Sequence, residues 1–148
     1  MTDLWIFGAD PGKETGFARY DAGQWWGAWE LPMDRFLDYA EGYMLERFRE
    51  GTQAVIACED FRITMHTAKK AQGDRQWSLE QIGVLRWLAR KYGHTFELTQ
   101  PAEAKRFSTN EKLRRADWWT KGGGGHHNDA ARQVMIALAR RNILVGMS

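Results

Sequence analysis

Three acidic residues stand at the ends of three widely separated segments, and this arrangement constrains the fold more than any other feature of the chain. Asp10 follows the apolar run of residues 4–9, and Glu59 follows the apolar run of residues 54–58. Asp129 lies at the start of the last helical pattern. Because the carboxyl ends of neighbouring buried strands meet at one edge of a sheet, we expect these carboxylates to converge. Convergent oxygen ligands suit Mg²⁺, so the pattern predicts a divalent-metal site.

The bulk properties narrow the class of protein. A length of 148 residues is that of one ordinary domain, so we expect a single domain over residues 1–148. No apolar run approaches the ~18 residues that a transmembrane helix needs, and the N-terminus lacks the features of a secretion signal. The single cysteine, Cys58, supplies neither a disulfide framework nor a cysteine-based zinc site. These observations predict a soluble cytoplasmic protein without a membrane partner.

The formal net charge of +2 conceals an uneven distribution. Residues 1–60 carry 5 basic and 12 acidic side chains, whereas residues 61–148 carry 16 basic and 7 acidic ones. Segregated charge of this kind, together with eight tryptophans, favours a phosphate-binding face beside an acidic pocket. The alternative is that each basic cluster is the solvated face of a helix.

Hydrophobic periodicity and turn residues divide the chain into strands and helices. Strands are predicted over residues 4–9, 16–21, 24–29, 53–59 and 94–99. Helices are predicted from Pro32 up to Gly51, over residues 76–92, over residues 110–119 with Asn110 as the N-cap, and over residues 126–141. Residues 60–75 are polar, basic and poorly periodic, which is typical of a loop. The four glycines of residues 122–125 are too flexible to form a fixed element.

The order of these elements, β-β-β-α-β-α-β-α, predicts an α/β protein with one five-stranded mixed sheet and helices on both faces. The first strand should be central, because the second and third follow it as an antiparallel meander on one side. The fourth strand follows a helix, so it should lie parallel to the first on the other side. The expected strand order is 3-2-1-4-5, which places Asp10 and Glu59 at adjacent strand ends.

Each acidic residue also has a purely structural interpretation. Asp10 precedes a Pro-Gly pair and could initiate a turn, since all three residue types favour turns. Glu59 is adjacent to Asp60, and the alternation of a strand points only one of the two side chains inward. Asp129 could be favoured in the first turn of a helix by the helix dipole. The coincidence of three acids favours a metal site over three unrelated structural roles.

Two histidines precede Asp129. His126 lies three residues before it, so on a helix the two side chains share a face, and His126 could complete the metal site. Two or three carboxylates and an imidazole are enough to hold two divalent ions. Both His126 and His127 could instead be surface-loop histidines, and for His127 we favour that interpretation. The glycine run before them is either a spacer or a gate.

Three short motifs resemble those of RuvC-type Holliday junction resolvases, in the order and spacing of that family. They are Gly8-Ala9-Asp10-Pro11-Gly12 with Thr15-Gly16, then Ala57-Cys58-Glu59-Asp60-Phe61, and then His126-His127-Asn128-Asp129-Ala130-Ala131-Arg132. The third motif is similar to the histidine-containing form found in bacteriophage and some bacterial members. The resemblance implies an RNase H-like fold and a catalytic, metal-binding set of Asp10, Glu59, His126 and Asp129.

The same resemblance implies a function. Members of the family cut paired strands at symmetric positions of a four-way DNA junction, as homodimers that use Mg²⁺ or Mn²⁺. Two ions per active site, a branched-DNA partner and the cytoplasm of a bacterium or a phage-infected host are therefore expected. Many members carry an aspartate where this chain has His126, and this difference changes the charge of the ligand set.

Six basic residues are expected to bind DNA. They are Arg62, Lys69, Lys70, Lys105, Lys112 and Arg115. Lys112 is similar in position to a lysine that the family places near the active site and the DNA. Arg62, Lys69 and Lys70 follow the second motif, where the family has DNA-contacting residues.

The predicted helix over residues 76–92 has a wide apolar face. Its apolar side chains cover an arc of roughly 160°, whereas one sheet contact requires a stripe of ~100°. The excess predicts a homodimer contact through Trp77, Ile82, Leu85 and Leu88, and two-fold pairing would suit a two-fold substrate. The alternative is a wider contact within the chain, with residues 101–119.

Other functions fit parts of the pattern. A nuclease of the same fold that cuts RNA–DNA hybrids, flaps or other branched DNA would share the catalytic core. Actin-like ATPases also begin with Asp-x-Gly and a nearby Thr-Gly pair, but they need a second lobe, for which this chain is too short. A non-catalytic nucleic-acid-binding relative would not need all three acids.

Overall fold

The structure, a computed structural model, describes residues 4–61 and 72–146, with side chains in the second range from Trp77 onward. Within these ranges the strands are β1 (Trp5–Asp10), β2 (Glu14–Asp21), β3 (Gln24–Pro32), β4 (Ala54–Glu59) and β5 (Thr95–Thr99). The helices are α1 (Met33–Arg49), α2 (Gln72–Lys91), α3 (Pro101–Phe107), α4 (Asn110–Arg115) and α5 (His126–Ala139). None of these helices is both long and apolar enough to cross a membrane.

The five strands form one mixed sheet in the order β3-β2-β1-β4-β5, which confirms the predicted topology. β1 is antiparallel to β2 and parallel to β4. In the register between β1 and β4, Ala9 lies beside Cys58. Because the next residues are Asp10 and Glu59, the two acids leave the sheet side by side at the same edge.

The side chains of β1 alternate between two differently built faces of the sheet. Phe7 packs on the side of α1 and α2, in a cluster that we call the aromatic face. Five of its rings contact one another, and they are Phe7, Phe17, Phe36, Tyr39 and Tyr43. Ile6 packs on the side of α5, in a cluster that we call the alanine face. Its buried alanines are Ala18, Ala57, Ala130, Ala131 and Ala137. Helices therefore cover both faces, as predicted.

On the alanine face, α5 lies almost against the backbone of the sheet. A Cβ atom on Gly16 would be 2.0 Å from the carbonyl oxygen of His126, and one on Gly8 would be 2.4 Å from that of Ala130. Both distances are far below van der Waals contact, so each strand position requires glycine. The two glycines of β1 and β2 thus set the depth at which the first turns of α5 rest on the sheet.

Several element boundaries differ from the predicted ones. Helix α3 was not predicted, because its seven residues begin with Pro101 and are too few for a clear period. The helix predicted over residues 110–119 ends at Arg115, since Asp117 adopts a left-handed φ of 62°. Its N-cap is Thr109, not Asn110, because the Thr109 hydroxyl accepts a hydrogen bond from the backbone N–H of Lys112.

Two further boundaries lie outside the predicted limits. β3 continues to Pro32, which pairs with Glu14 at the start of β2. A proline is tolerated there because β3 is an edge strand with one unpaired side. Helix α2 begins at Gln72, inside the predicted loop over residues 60–75, because its first turn lacks the apolar residues from which a period can be read.

The dimer contact predicted on α2 requires a correction. Ile82, Leu85 and Leu88 are at most 5% exposed and belong to the core on the aromatic face, while Trp77 is half-buried. The wide apolar arc is explained by packing within the chain against the sheet and α1, not against residues 101–119. Different apolar residues of α2 face solvent. They are Leu79, Val84 and Trp87, with exposed fractions of 39%, 37% and 50%.

Candidate active site

Three carboxylates converge where β1 and β4 end. Asp10 is the last residue of β1, Glu59 is the last residue of β4, and Asp129 lies in the first turn of α5. Each places one oxygen within 4.8 Å of the ligand oxygens of the other two. The three line a cleft of about 530 Å³. The structure therefore brings together the acids that the sequence singled out, and this donor set fits a divalent cation that prefers oxygen.

The pKa of Glu59 shows how strongly the three carboxylates repel one another when no cation lies between them. Burial raises the pKa of Glu59 far above its ordinary value, and the hydrogen bond and negative charge of Asp10 raise it further. Asp129 acts in the same direction, while Lys105 opposes it. The pocket thus resists holding three negative charges by itself, and a divalent cation among them would remove that resistance.

His126 lies beside Asp10 at the mouth of the cleft. Its Nδ1 atom is 2.9 Å from Oδ2 of Asp10, and its side chain is 40% exposed. The hydrogen bond to Asp10 raises the pKa of His126, although partial burial acts against this. On α5, His126 and Asp129 are three residues apart and both line the cleft, as the predicted helical spacing requires.

Helix α2 holds the loop that follows Asp10. The hydroxyl of Ser78 donates to the carbonyl oxygen of Pro11 at 3.1 Å, and the side-chain amide of Gln81 donates to the carbonyl oxygen of Gly12. The hydroxyl of Thr15 lies 2.9 Å from the same Gly12 oxygen. Both side chains of α2 are buried. Their role was not predicted, because a polar residue in a helical pattern gives no sign of which loop it will meet.

Asp60 and His127 do not share the role of their neighbours. The two carboxylate oxygens of Asp60 accept hydrogen bonds from the backbone of Phe61 at 2.8 Å and from Gln100 at 2.7 Å. His127 is only 5% exposed, which corrects its interpretation as a surface-loop histidine. Its Nδ1 atom lies 2.6 Å from Oε2 of Glu30. Asp60 therefore lines the cleft with both oxygens engaged by the protein, whereas His127 lies beside the cleft.

No protein-family model matches the sequence, and no curated protein matches it. Among solved structures, T. thermophilus RuvC in complex with Holliday junction substrate is 15% identical, with a TM-score of 0.59 and coverage of 96% of this chain and 98% of that chain. A second structure, of Thermus thermophilus RuvC, is 17% identical, with a TM-score of 0.51 and coverage of 96% and 99%.

The chain has the RuvC fold. Its mixed sheet, with the strand order 3-2-1-4-5 and helices on both faces, is the RNase H-like architecture that was predicted. The match extends over nearly all of both chains. At these identities the likeness establishes the fold, and the activity has to be argued from the site.

Within this RuvC fold, a buried arginine fixes Asp129. Nε of Arg132 donates to Oδ1 of Asp129 at 3.1 Å, and one terminal nitrogen donates to the carbonyl oxygen of Ser108 at 2.6 Å. The other terminal nitrogen donates to Oδ1 of Asn110. Arg132 is 7% exposed. One oxygen of Asp129 is therefore engaged by the protein, and the other remains for a cation.

The predicted DNA-binding residues fall into two groups. Arg62, Lys69 and Lys70 lie outside the described residues. Lys105, Lys112 and Arg115 are described, and the structure gives each a different setting.

Lys105 is exposed on α3 and lines a groove of about 630 Å³ together with Asn110 and Arg114. Lys112 is partly buried, because its Nζ donates to the carbonyl oxygen of Phe107 at 2.8 Å. It lines a different groove, on the side of Arg140. The positive charge of Lys105 lowers the pKa of Glu59 against the stronger effect of burial.

Arg115 is exposed on α4 and forms an ion pair with Glu111 one helical turn earlier. A different arginine of the same helix, Arg114, lies in the groove beside Lys105, with its guanidinium 4.6 Å from the ring of Trp119. The sequence marks Arg114 only as one member of a basic run. Which members of that run reach the groove depends on where α4 ends.

Proposed function

We propose that this protein is a metal-dependent DNA endonuclease that resolves four-way junctions by paired symmetric nicks. The observation that carries the proposal is the convergence of Asp10, Glu59 and Asp129 at the strand ends of a RuvC fold. The related RuvC structure was solved with a Holliday junction substrate, which supports branched DNA as the substrate class here. Such an enzyme would act in the cytoplasm of a bacterium or a phage-infected host.

The three acids would hold the metal, with His126 completing the ligand set beside Asp10. Two bound Mg²⁺ or Mn²⁺ ions would supply activation of the attacking water and stabilisation of charge at the leaving 3′ oxygen. The protein's own contribution is positioning. Ser78 and Gln81 hold the Asp10 loop, and Arg132 holds Asp129. The ligand set thus meets its cations with little rearrangement of the chain.

Lys105 and Arg114 would bind the DNA backbone beside this site. Both line the groove that adjoins Arg132, which bonds to Asp129. Phosphate contacts of this kind position a substrate without reading its sequence. Arg115 and Lys112 would contribute less to binding of the scissile strand, because their charged groups are engaged by Glu111 and by the Phe107 carbonyl.

A homodimer would match the two-fold symmetry of paired cuts. On α2, Leu79, Gly83 and Trp87 recur every four residues and face solvent, with Val84 beside them. We propose that this face contacts a second copy of the chain. Trp87→Glu should yield a monomer in light scattering, whereas Trp26→Glu, a control at an equally exposed tryptophan of β3, should leave the dimer intact. A monomeric wild-type protein would contradict this part of the proposal.

The decisive experiment is cleavage of a labelled synthetic four-way junction, with Mg²⁺ or Mn²⁺, beside matched duplex, flap and RNA–DNA hybrid substrates. Wild-type protein should produce paired symmetric nicks in the junction. Asp10→Asn should cut at least about a hundredfold more slowly, since it removes a metal-binding charge at unchanged size. The nicks are mapped on sequencing gels.

The alternative outcomes have distinct meanings. Preferred cutting of flaps or hybrids, lost in Asp10→Asn, would retain the active site but assign it to another nuclease of this fold. Binding of junctions that is unaffected by Asp10→Asn, without cleavage, would assign the chain to non-catalytic nucleic-acid binding. Absence of both binding and metal-dependent cleavage would refute the proposed function.

A further inference from the structure

Helix α5 carries two cleft residues, His126 and Asp129, but no side chain of its own caps its first turn. The N-cap residue is Gly125, with a left-handed φ of 85°. The first N–H groups of a helix have no acceptor within the helix, so they need one from elsewhere. Oε2 of Glu30 lies 3.1 Å from the backbone nitrogen of His126 and 3.4 Å from that of His127. A carboxylate from the edge strand β3 therefore caps the helix.

The side chain of His127 connects this carboxylate to the segment before the helix. Its Nδ1 atom is 2.6 Å from Oε2 of Glu30, and its Nε2 atom is 3.1 Å from the carbonyl oxygen of Thr120. Asn128 bonds to both backbone groups of Thr120, at 2.8 and 3.0 Å. The backbone of Gly124 lies 3.4 Å from the second oxygen of Glu30. The glycine-rich segment is thus fastened at both of its ends.

The charges of this contact reinforce its geometry. Burial alone would raise the pKa of Glu30, but the hydrogen bonds from His127 and from the backbone of Gly124 and His127 bring it below its ordinary value. An ionised carboxylate at a helix N-terminus is favoured by the helix dipole. The side chains of Glu30 and His127 are 20% and 6% exposed, so solvent screens the pair less than a surface ion pair.

The contact between Glu30 and the first turn of α5 requires a glycine at position 16 of β2. Gly16 and Glu30 are opposite each other in the register between β2 and β3. A Cβ atom on Gly16 would collide with the His126 carbonyl, so the first turn of α5 rests directly on this pair of positions. From there, Nδ1 of His126 reaches Oδ2 of Asp10 at 2.9 Å. A displacement of this turn would change the geometry of the cleft.

We propose that Glu30 and His127 form a latch that positions the first turn of α5, keeping His126 against Asp10 and Asp129 within reach of Glu59. Neither latch residue lines the cleft, so both are positioning residues. The proposal rests on the proposed function only for its effect on cleavage. Its other consequences, on metal affinity and on opening of the helix, are measured with the full-length protein without DNA.

The test uses Glu30→Gln and His127→Gln, each of which replaces one partner of the carboxylate–imidazole contact at nearly unchanged size. Each variant should bind Mn²⁺ about tenfold more weakly in calorimetry, as is usual when a residue that orients a metal ligand is lost. Amide hydrogens of residues 120–127 should exchange faster, while those of β1 and α1 should not change. In junction cleavage, kcat should fall about tenfold and KM less than about twofold.

Two controls isolate the latch. The double variant should lose less than the product of the two single losses, because both changes remove the shared contact between Glu30 and His127. Glu41→Gln, which neutralises an exposed acid of α1, should match the wild-type protein in every measurement. If Glu30→Gln does not fold, Glu30→Asp replaces it: this change keeps the charge but withdraws the carboxylate by one methylene, and it should cause the same losses.

Wild-type Mn²⁺ affinity and hydrogen exchange in folded latch variants would overturn the proposal. Losses in the double variant that equal the product of the single ones would overturn it too, because they would show two independent contacts. If the wild-type protein binds Mn²⁺ but cuts no DNA, the proposed function fails, while Mn²⁺ affinity and exchange still decide the latch. If the wild-type protein binds no Mn²⁺, both proposals fail.

Discussion

The two faces of the sheet are built on opposite principles. On the aromatic face, large rings fill the space between the sheet and its helices, with the ring centroid of Phe7 4.8 Å from that of Tyr43 and 6.0 Å from that of Phe36. On the alanine face, Gly8 and Gly16 leave no space at all beneath α5. One face separates its helices from the strands by side chains, and the other brings helix and strand backbones together.

The difference in packing between the two faces follows from the residues that each helix contributes. Helix α1 contributes mainly apolar burial, which depends on total area and tolerates small shifts, and α2 adds hydrogen bonds from Ser78 and Gln81 to the loop after Asp10. Helix α5 contributes His126 and Asp129, and ligand atoms must be placed to within a fraction of an ångström. Close packing on glycine fixes the depth of α5, because the strand backbone is a stiffer support than interlocking side chains. The alanine face is therefore the one that sets the position of His126 and Asp129.

The largest effect should come from Gly16→Ala. The added Cβ would meet the His126 carbonyl at 2.0 Å, so the first turn of α5 must move away from the sheet. We expect a loss of stability of about 1–3 kcal/mol, typical of overpacking, and a fall in Mn²⁺ affinity of about tenfold or more. Chemical denaturation and calorimetry measure the two quantities.

The matched control for Gly16→Ala is Gly42→Ala. A Cβ atom on Gly42, an exposed helical residue of α1, meets nothing within 4 Å. This change should stabilise the protein by about 0.5–1 kcal/mol, the helix propensity difference between the two residues, and leave Mn²⁺ affinity unaltered. If Gly16→Ala and Gly42→Ala changed stability and Mn²⁺ affinity equally, close packing of α5 on the strand backbone would not distinguish the two faces.

A smaller effect is expected from Phe36→Leu on the aromatic face. Phe36 is fully buried, and leucine leaves part of its volume unfilled. The free energy of unfolding should fall by about 1–2 kcal/mol, because neighbouring rings can only partly close the gap. Mn²⁺ affinity should stay within about twofold of wild type. A fall in affinity as large as that of Gly16→Ala would show that both faces position the site.

The smallest expected effect is on the pH dependence of stability. It tests whether the charge of Glu30, as well as its shape, holds α5. Because the pKa of Glu30 is lower in the folded protein than its ordinary value of 4.5, Glu30 stabilises the fold at pH values above 4.5. This contribution should be lost as the pH falls through the lowered pKa. The stability difference between wild type and Glu30→Gln should therefore be larger above pH 4.5 than in acid. A difference that does not depend on pH would assign the contact to shape alone.

The sequence was sufficient for the sheet and for the convergence of the three acids, for a simple physical reason. Both depend on local signals: an apolar run defines each buried strand, and Asp10 and Glu59 follow such runs directly. The antiparallel meander places β2 and β3 on one side of β1, and the helix before β4 places β4 on the other side. These connections leave one strand order. Asp129 was placed by its position at the start of a helix, three residues after His126.

The latch and the apolar face of α2 could not be predicted in the same way. Glu30 contacts residues almost a hundred positions away, and nothing in its own strand distinguishes it from another solvent-facing acid. Three of the predicted dimer residues of α2, Ile82, Leu85 and Leu88, are buried within the chain, because an apolar arc shows how much of a helix is buried, not against what. They belong to one core cluster that also contains residues of the sheet and α1.

The four residues from His126 to Asp129 have consequences for insertions and deletions. The outer two line the cleft, and the inner two hold Thr120. Each residue of a helix is rotated by about 100° from the one before it. Deleting one of the four would turn an anchoring side chain toward the cleft and a ligand toward the loop. Length changes in this protein are therefore tolerable before the helix, in the glycine run, but not within its first turn.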